Sequence, residues 1–314
     1  MAHRRLPLPP GMLPRLLPCA LVLFALLAPA LAGGAVRPAD RAALFVFDHD
    51  PLADAAVEIE GPAEGRLSWH DGEPAFPGDG RGALRAHFLS TGPTVRAGWA
   101  LPFDLDEGRP FAAFAAFEIR SEGFSASPDG FMQIAWGLWN SAATGLERVA
   151  YGPGADAFEL LEFAWFPNVS PIFGGPYLSP ALFGAADPEN PLFPSAGAFA
   201  NATFGFGPPV ELPFDTPLLA TLEHRPDAGV VVVAVHRVLP SGELVPVPGA
   251  VVPVPLGFLS RPEYRFDRIG IALWHDPYAG PTPALDARVD FHLLGARDGV
   301  LSPPLAGLFA AGAR

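Results

Sequence analysis

Lysine is missing from this 314-residue chain, so arginine supplies all 20 basic side chains against 33 acidic ones, a formal charge of −13. A surface of that sign repels phosphate backbones and anionic headgroups, which argues against nucleic acid and membrane surfaces as partners. Cysteine occurs once, at Cys19, so no intramolecular disulfide can form. No uninterrupted apolar run reaches the ~20 residues needed to cross a bilayer. The chain also lacks a Gly-x-Ser-x-Gly elbow and any histidine pair at i, i+4, which removes the signatures of serine hydrolases and zinc sites. Long amphipathic helical patterns are nearly absent, so stability must come from a large core of other architecture.

The first thirty-two residues read as an export signal. Arg4, Arg5 and Arg15 precede an apolar run from Leu16 to Leu27, and Ala30-Leu31-Ala32 forms a small-residue cleavage site before Gly33. Pro18 and Pro29 break the run, and Cys19 lies inside it rather than at a lipoprotein amino terminus. The expected product is secreted, periplasmic or held in the cell envelope, with no membrane span and a more acidic balance than the full chain. The expected organisation is a signal peptide over 1–32, one domain over 33–300 and a tail over 301–314.

Short strand patterns separated by Gly, Pro and Asp turns recur throughout the domain. Ala287, Val289, Phe291 and Leu293 fall on one face of a strand, with Asp286, Arg288, Asp290 and His292 on the other. Met132, Ile134, Trp136 and Leu138 form a second stripe, opposite Gln133 and Trp139. Val230 to Val235 is apolar on both faces, the pattern of a strand covered on each side. Leu84–Leu89 and Val95–Leu101, joined through Thr91-Gly92-Pro93, read as a hairpin. Phe111, Phe114 and Phe117 are spaced by three behind Pro110, which fits a short helix. Alternation resumes at Glu118-Ile119-Arg120, which favours a buried strand. Between Phe166 and Pro217 the pattern fails for about fifty residues rich in Pro, Gly and Phe. Their aromatic content predicts a packed irregular loop, acting as cover for a sheet or helping to shape a site.

Three stretches carry a resemblance: Gly80–Leu101; Asp156–Ser179, with Glu159-Leu-Leu-Glu162-Phe-Ala-Trp165; and Arg268–Asp276 with Asp286–Leu294. Their order resembles the concanavalin A-like (laminin G-like) jelly-roll superfamily and, within it, uncharacterised secreted bacterial members. The resemblance implies an all-β, antiparallel two-sheet jelly-roll sandwich with one long irregular loop insertion at about 166–217. It also implies a carbohydrate-facing function, since the superfamily includes lectins, adhesive modules and glycoside hydrolases. Fold alone does not settle chemistry.

Glu159 and Glu162 are the catalytic candidates, because glycoside hydrolysis needs two carboxylates. Related hydrolases use Glu-x-Asp-x-Glu, and the central aspartate is missing here. Positions i and i+3 of a regular strand also face opposite ways, so sharing a cleft requires a bulge. The alternative for whichever glutamate points inward is a structural role, with Arg237, Arg120 and Gln133 as partners by residue type. Ligand-binding candidates are Gln133, Trp139, Glu162, Trp165, Asn168 and Trp274, since sugar rings stack on indoles and bond to polar side chains near strand ends. Asp48 and Asp50, with Asp104 and Asp106, offer oxygen donors that would suit Ca²⁺, although turn-forming acids explain both groups. No other cofactor is expected. The leading expectation is a secreted non-catalytic module that binds extracellular carbohydrate or another surface ligand. The alternatives are a glycoside hydrolase or lyase acting through Glu159 and Glu162, and a structural envelope protein without a small ligand.

Overall fold

The computed structural model describes residues 41–72, 75, 82–128, 130, 132–148, 154–167 and 175–301. The expected signal peptide, Cys19, Asn168 and nearly all of the tail lie outside them. Among the described residues the chain forms β1 (Ala42–Val46), β2 (Val57–Glu60), β3 (Leu67–His70), β4 (Ala83–Leu89), β5 (Val95–Asp106), β6 (Phe111–Ile119), β7 (Ser125–Ala126), β8 (Ile134–Trp139) and β9 (Leu160–Phe166). There follow β10 (Tyr177–Leu178), β11 (Ala181–Phe183), the short helix α1 (Phe193–Ala196), β12 (Ala202–Phe204), β13 (Leu218–Arg225), β14 (Val230–Val238), β15 (Leu244–Pro255), β16 (Arg265–Leu273) and β17 (Leu285–Asp298). No helix among them is long and apolar enough to cross a membrane.

The strands make two antiparallel sheets. The first runs β15-β14-β13-β6-β17-β4-β3, with β1 and β7 also paired to β17; the second runs β12-β11-β9-β8-β16-β5-β2, with β10 on β9. Their inner faces meet through ring contacts such as Phe117–Phe163, Phe111–Phe266 and Phe47–Trp99, with centroids 6.0, 5.8 and 5.1 Å apart. Alternation explains the assignment of faces. On β8 and β9, Ile134, Trp136, Leu138, Leu161, Phe163 and Trp165 join the core between the sheets, and the intervening residues occupy the outer face.

The Phe111 segment is a strand. Phe111 and Phe117 enter the main core while Phe114 joins a second cluster with Ala116, Leu219, Val238 and Leu293. A spacing of three in a strand reverses the face, so the three phenylalanines feed two apolar layers.

Four local expectations are corrected. Leu84–Leu89 and Val95–Leu101 do not pair as a hairpin, because β4 and β5 belong to different sheets and the turn is a corner between them. Arg66 fastens that corner by donating to the carbonyls of His87 (2.9 Å) and Pro93 (3.0 Å), and its guanidinium fills the space a side chain at Gly92 would need. Leu293 does not share a face with Phe291: the β17–β6 register shifts between Phe291 and Leu293, so Leu293 turns to the second cluster and Leu294 enters the core. Val230–Val235 is covered on one side only, with Val231, Val233 and Val235 buried and Val230, Val232 and Ala234 half-buried. The Phe166–Pro217 stretch contributes β10, β11 and β12 to the second sheet. Those strands are two or three residues long and lie among prolines, too short to show a period-two pattern.

A buried polar link joins the layers. His224 of β13 donates from Nδ1 to the Arg109 carbonyl (2.7 Å), and the Tyr264 hydroxyl, just ahead of β16, donates to His224 Nε2 (2.8 Å). Burial lowers the imidazole pKa and raises that of the phenol.

Candidate functional site

The outer face of the second sheet carries four of the six ligand-binding candidates, Gln133, Trp139, Glu162 and Trp274. Gly98 of β5 pairs with Gly270 of β16, and Gly270 pairs with Gly137 of β8. The absence of side chains at Gly98 and Gly270 makes a floor for the Trp139 indole, which a Cβ at either glycine would strike. Arg96 covers the indole with its guanidinium carbon 5.0 Å from the ring centroid. It also bonds Glu60 (2.6 Å) and the Thr144 carbonyl (2.9 Å). Trp139 is therefore a packed side chain, 2% exposed.

Glu162 lies on the same face and is fully buried. Its carboxylate accepts from Gln133 Nε2, from Arg148 Nε (3.1 Å) and from Trp274 Nε1, which is 3.2 Å from both oxygens. Gln133 was among the three partners expected by residue type, but the charged partner is Arg148. Arg120 instead serves Glu118, and Arg237 sits on β14 of the other sheet, opposite Leu218 and Val245. Desolvation pushes the Glu162 carboxyl above the usual carboxylate range, opposed by the charge of Arg148. Arg148 also lies over the Phe183 ring, 5.2 Å from its centroid, so the pair ties the loop after β8 to the face of the sheet.

Glu159 stands apart. It precedes β9 with φ +47°, outside the strand's alternation. Its carboxylate accepts from Asn140 Nδ2 (2.9 Å) and the Arg265 backbone N–H (3.0 Å). The two glutamates share no hydrogen-bond partner among the described residues.

The acidic positions weighed for calcium are engaged separately. Asp48 bonds His49 (2.6 Å) and Asp50 accepts from the Leu52 N–H (3.0 Å). Asp104 pairs with Arg265 (2.9 Å) and Asp106 with Arg109 (2.6 Å). No group of three His, Cys, Asp or Glu side chains among the described residues is placed to hold a metal ion. Asn201, part of an Asn-Ala-Thr acceptor pattern, is buried, with its amide bonded to the carbonyls of Ala185 and Arg261.

Trp165 leads to the open site. Its ring lies on the inner face of β9 near the strand end, and its Nε1 donates to the Val210 carbonyl (3.1 Å). Beside it a groove of about 730 Å³ opens at the end of the sandwich, within the size range of small-ligand sites. Phe124, Ser125 and Ala126 form the wall on the first sheet's side; Trp165, Pro167 and Pro176 form the other; Glu211 to Phe214 close the rim. The Phe124 and Phe214 rings meet edge to face, with centroids 4.6 Å apart. Phe214 is 37% exposed.

The rim is anchored at both ends. The Val210 N–H donates to the Pro176 carbonyl (2.7 Å), the Asp215 N–H donates to the Ile119 carbonyl (2.8 Å), and Asp215 accepts from the Ser121 N–H (3.2 Å) and hydroxyl. The insertion thus does two things. Phe183, Phe199 and Phe204 pack on one another as cover, while the insertion's two ends border the groove. Of the nominated residues among those described, only Trp165 borders the groove, and it is itself 2% exposed; Gln133, Glu162 and Trp274 gather in the buried cluster, with Trp139 on the same face. Phe124, Ser125, Glu211 and Phe214 were missed. They come from separated segments with no shared motif.

Strand order and pairing define the class: a two-sheet antiparallel sandwich of jelly-roll type. Among solved structures the chain is similar to winged bean acidic lectin complexed with methyl-α-D-galactose (13% identity, 82% of this chain and 99% of that one, TM-score 0.48). It is also similar to the globular domain of T. cruzi calreticulin (8%, 86% and 92%, 0.46) and to peanut lectin (10%, 83% and 99%, 0.43). No protein-family profile matches the chain, and no curated protein matches it by sequence.

Proposed function

We propose that this protein is a non-catalytic module that binds carbohydrate outside the cytoplasm, in the groove beside Trp165. The observation that carries the reading is the makeup of that groove: the exposed Phe214 ring and the half-buried Phe124 ring stand next to the Ser125 hydroxyl and the Glu211 carboxylate on anchored backbone. Sugar rings present apolar C–H faces and a rim of hydroxyls, so they need both kinds of surface at once. Anchoring of the rim lowers the ordering cost of binding. The export signal read from residues 1–32 sets the compartment in which such ligands are met. Hydrolysis through Glu159 and Glu162 is not favoured, because each carboxylate is committed to its own partners.

A glycan array with the processed protein, with and without Ca²⁺, tests the reading. At least one glycan class should be retained, and Phe214→Ala should weaken it about tenfold while the circular dichroism spectrum is unchanged. Uniform failure to bind under both conditions, or binding indifferent to both Phe214→Ala and Ser125→Ala, would overturn it.

A further inference from the structure

We infer that the ligand of the Trp165 groove bears a positively charged amine, as an amino sugar does; this rests on the carbohydrate reading above and narrows it. Glu211 is the one charged side chain among the described residues lining the groove. It has no arginine or histidine partner among the described residues, whereas nearby Glu118 and Asp215 are both engaged by Arg120. An exposed carboxylate without a counter-ion is a standing attraction for a cation, and the net charge of −13 adds to it at long range.

The rings add a second, independent preference. Phe124 and Phe214 border the same space as Glu211, and aromatic faces carry negative potential that attracts alkylammonium groups. Aromatic faces with one carboxylate form the combination that holds a cation while shedding little apolar contact. Uronate or sulfated sugars meet the opposite situation: no cationic side chain among the described lining residues would receive them. An amino sugar satisfies every part of the groove, its ring face on the aromatics, its hydroxyls on Ser125 and its ammonium on Glu211.

The test is isothermal titration calorimetry of the full-length processed protein against three β-1,4-linked tetrasaccharides: glucosamine, its N-acetylated form and glucose. The free amine should bind about tenfold more tightly than either uncharged form. Glu211→Gln should erase that preference without altering the thermal midpoint, and raising the salt concentration should shrink it. Equal or tighter binding of the uncharged tetrasaccharides would overturn the inference and leave carbohydrate binding standing. An amine preference that survives Glu211→Gln would overturn it as well. Failure of all three to bind would dismiss the amino-sugar assignment, with the glycan array deciding separately whether the broader reading holds.

Discussion

Removing Arg148 and Glu162 together should cost far less than the sum of removing each alone. Glu162 is fully buried and Arg148 is 6% exposed, so either charge left without the other lies in a medium that cannot solvate it. Among the described residues, Glu162→Leu leaves the buried guanidinium only the Phe183 ring. Arg148→Met leaves a carboxylate with only the neutral donors Gln133 and Trp274. Each single substitution should destabilise the fold by about 3–5 kcal/mol. The double variant has no buried charge at this point. It orphans the Gln133 amide and the Trp274 N–H, worth about 1–3 kcal/mol each, and so should lie about 2–6 kcal/mol below wild type instead of about 6–10. Urea unfolding followed by circular dichroism at pH 7 measures all four proteins. Additivity within about 0.5 kcal/mol would refute the argument, since it would mean that the two groups do not sense each other. A pH series adds a sign. A carboxyl raised by burial binds its proton more tightly in the folded state, so its contribution is complete below the ordinary carboxylate pKa and is lost as pH rises through the folded value. Arg148→Met removes the opposing charge and raises that value further. Its deficit relative to wild type should therefore shrink on acidification.

Other outcomes follow from single contacts. Gly98→Ala places a methyl group against the Trp139 indole and should lower stability by about 1–3 kcal/mol through overpacking, read as a shifted urea midpoint at unchanged slope. Tyr264→Phe deprives His224 Nε2 of its donor and should cost about 1–2 kcal/mol by the same measurement. His224 is held below the usual imidazole pKa by burial. Its contribution is thus complete above about pH 6.5 and declines as pH falls toward the folded value, because only the unfolded chain takes up the proton in that window. Replacing His224 by Gln should flatten this part of the stability curve; an unchanged slope below pH 6.5 would show that another group is responsible.

Much of the architecture is written in local periodicity. The alternation at 132–138 places Trp136 inward and Gln133 outward whatever the neighbouring strand is, because side-chain direction in a strand depends only on parity. The same logic turns the Phe111, Phe114 and Phe117 spacing into two faces. It separates Glu159 from Glu162, although Glu159 leaves the strand altogether through a positive φ that no pattern announces. Parity breaks where a residue is inserted. The bulge before Leu293 depends on how β17 meets β6, and nothing in Phe-His-Leu-Leu signals it.

Composition and alternation alone therefore determined that this chain is a β protein with an acidic surface and a core that needs no disulfide. Tertiary structure decided which strands share a sheet, that Arg148 answers Glu162, and that Phe124, Trp165, Glu211 and Phe214 border one groove. The physical reason is range: backbone alternation is set within a few residues, while a corner, a buried ion pair or a groove is a meeting of segments that are tens of residues apart and becomes visible only when the two sheets close.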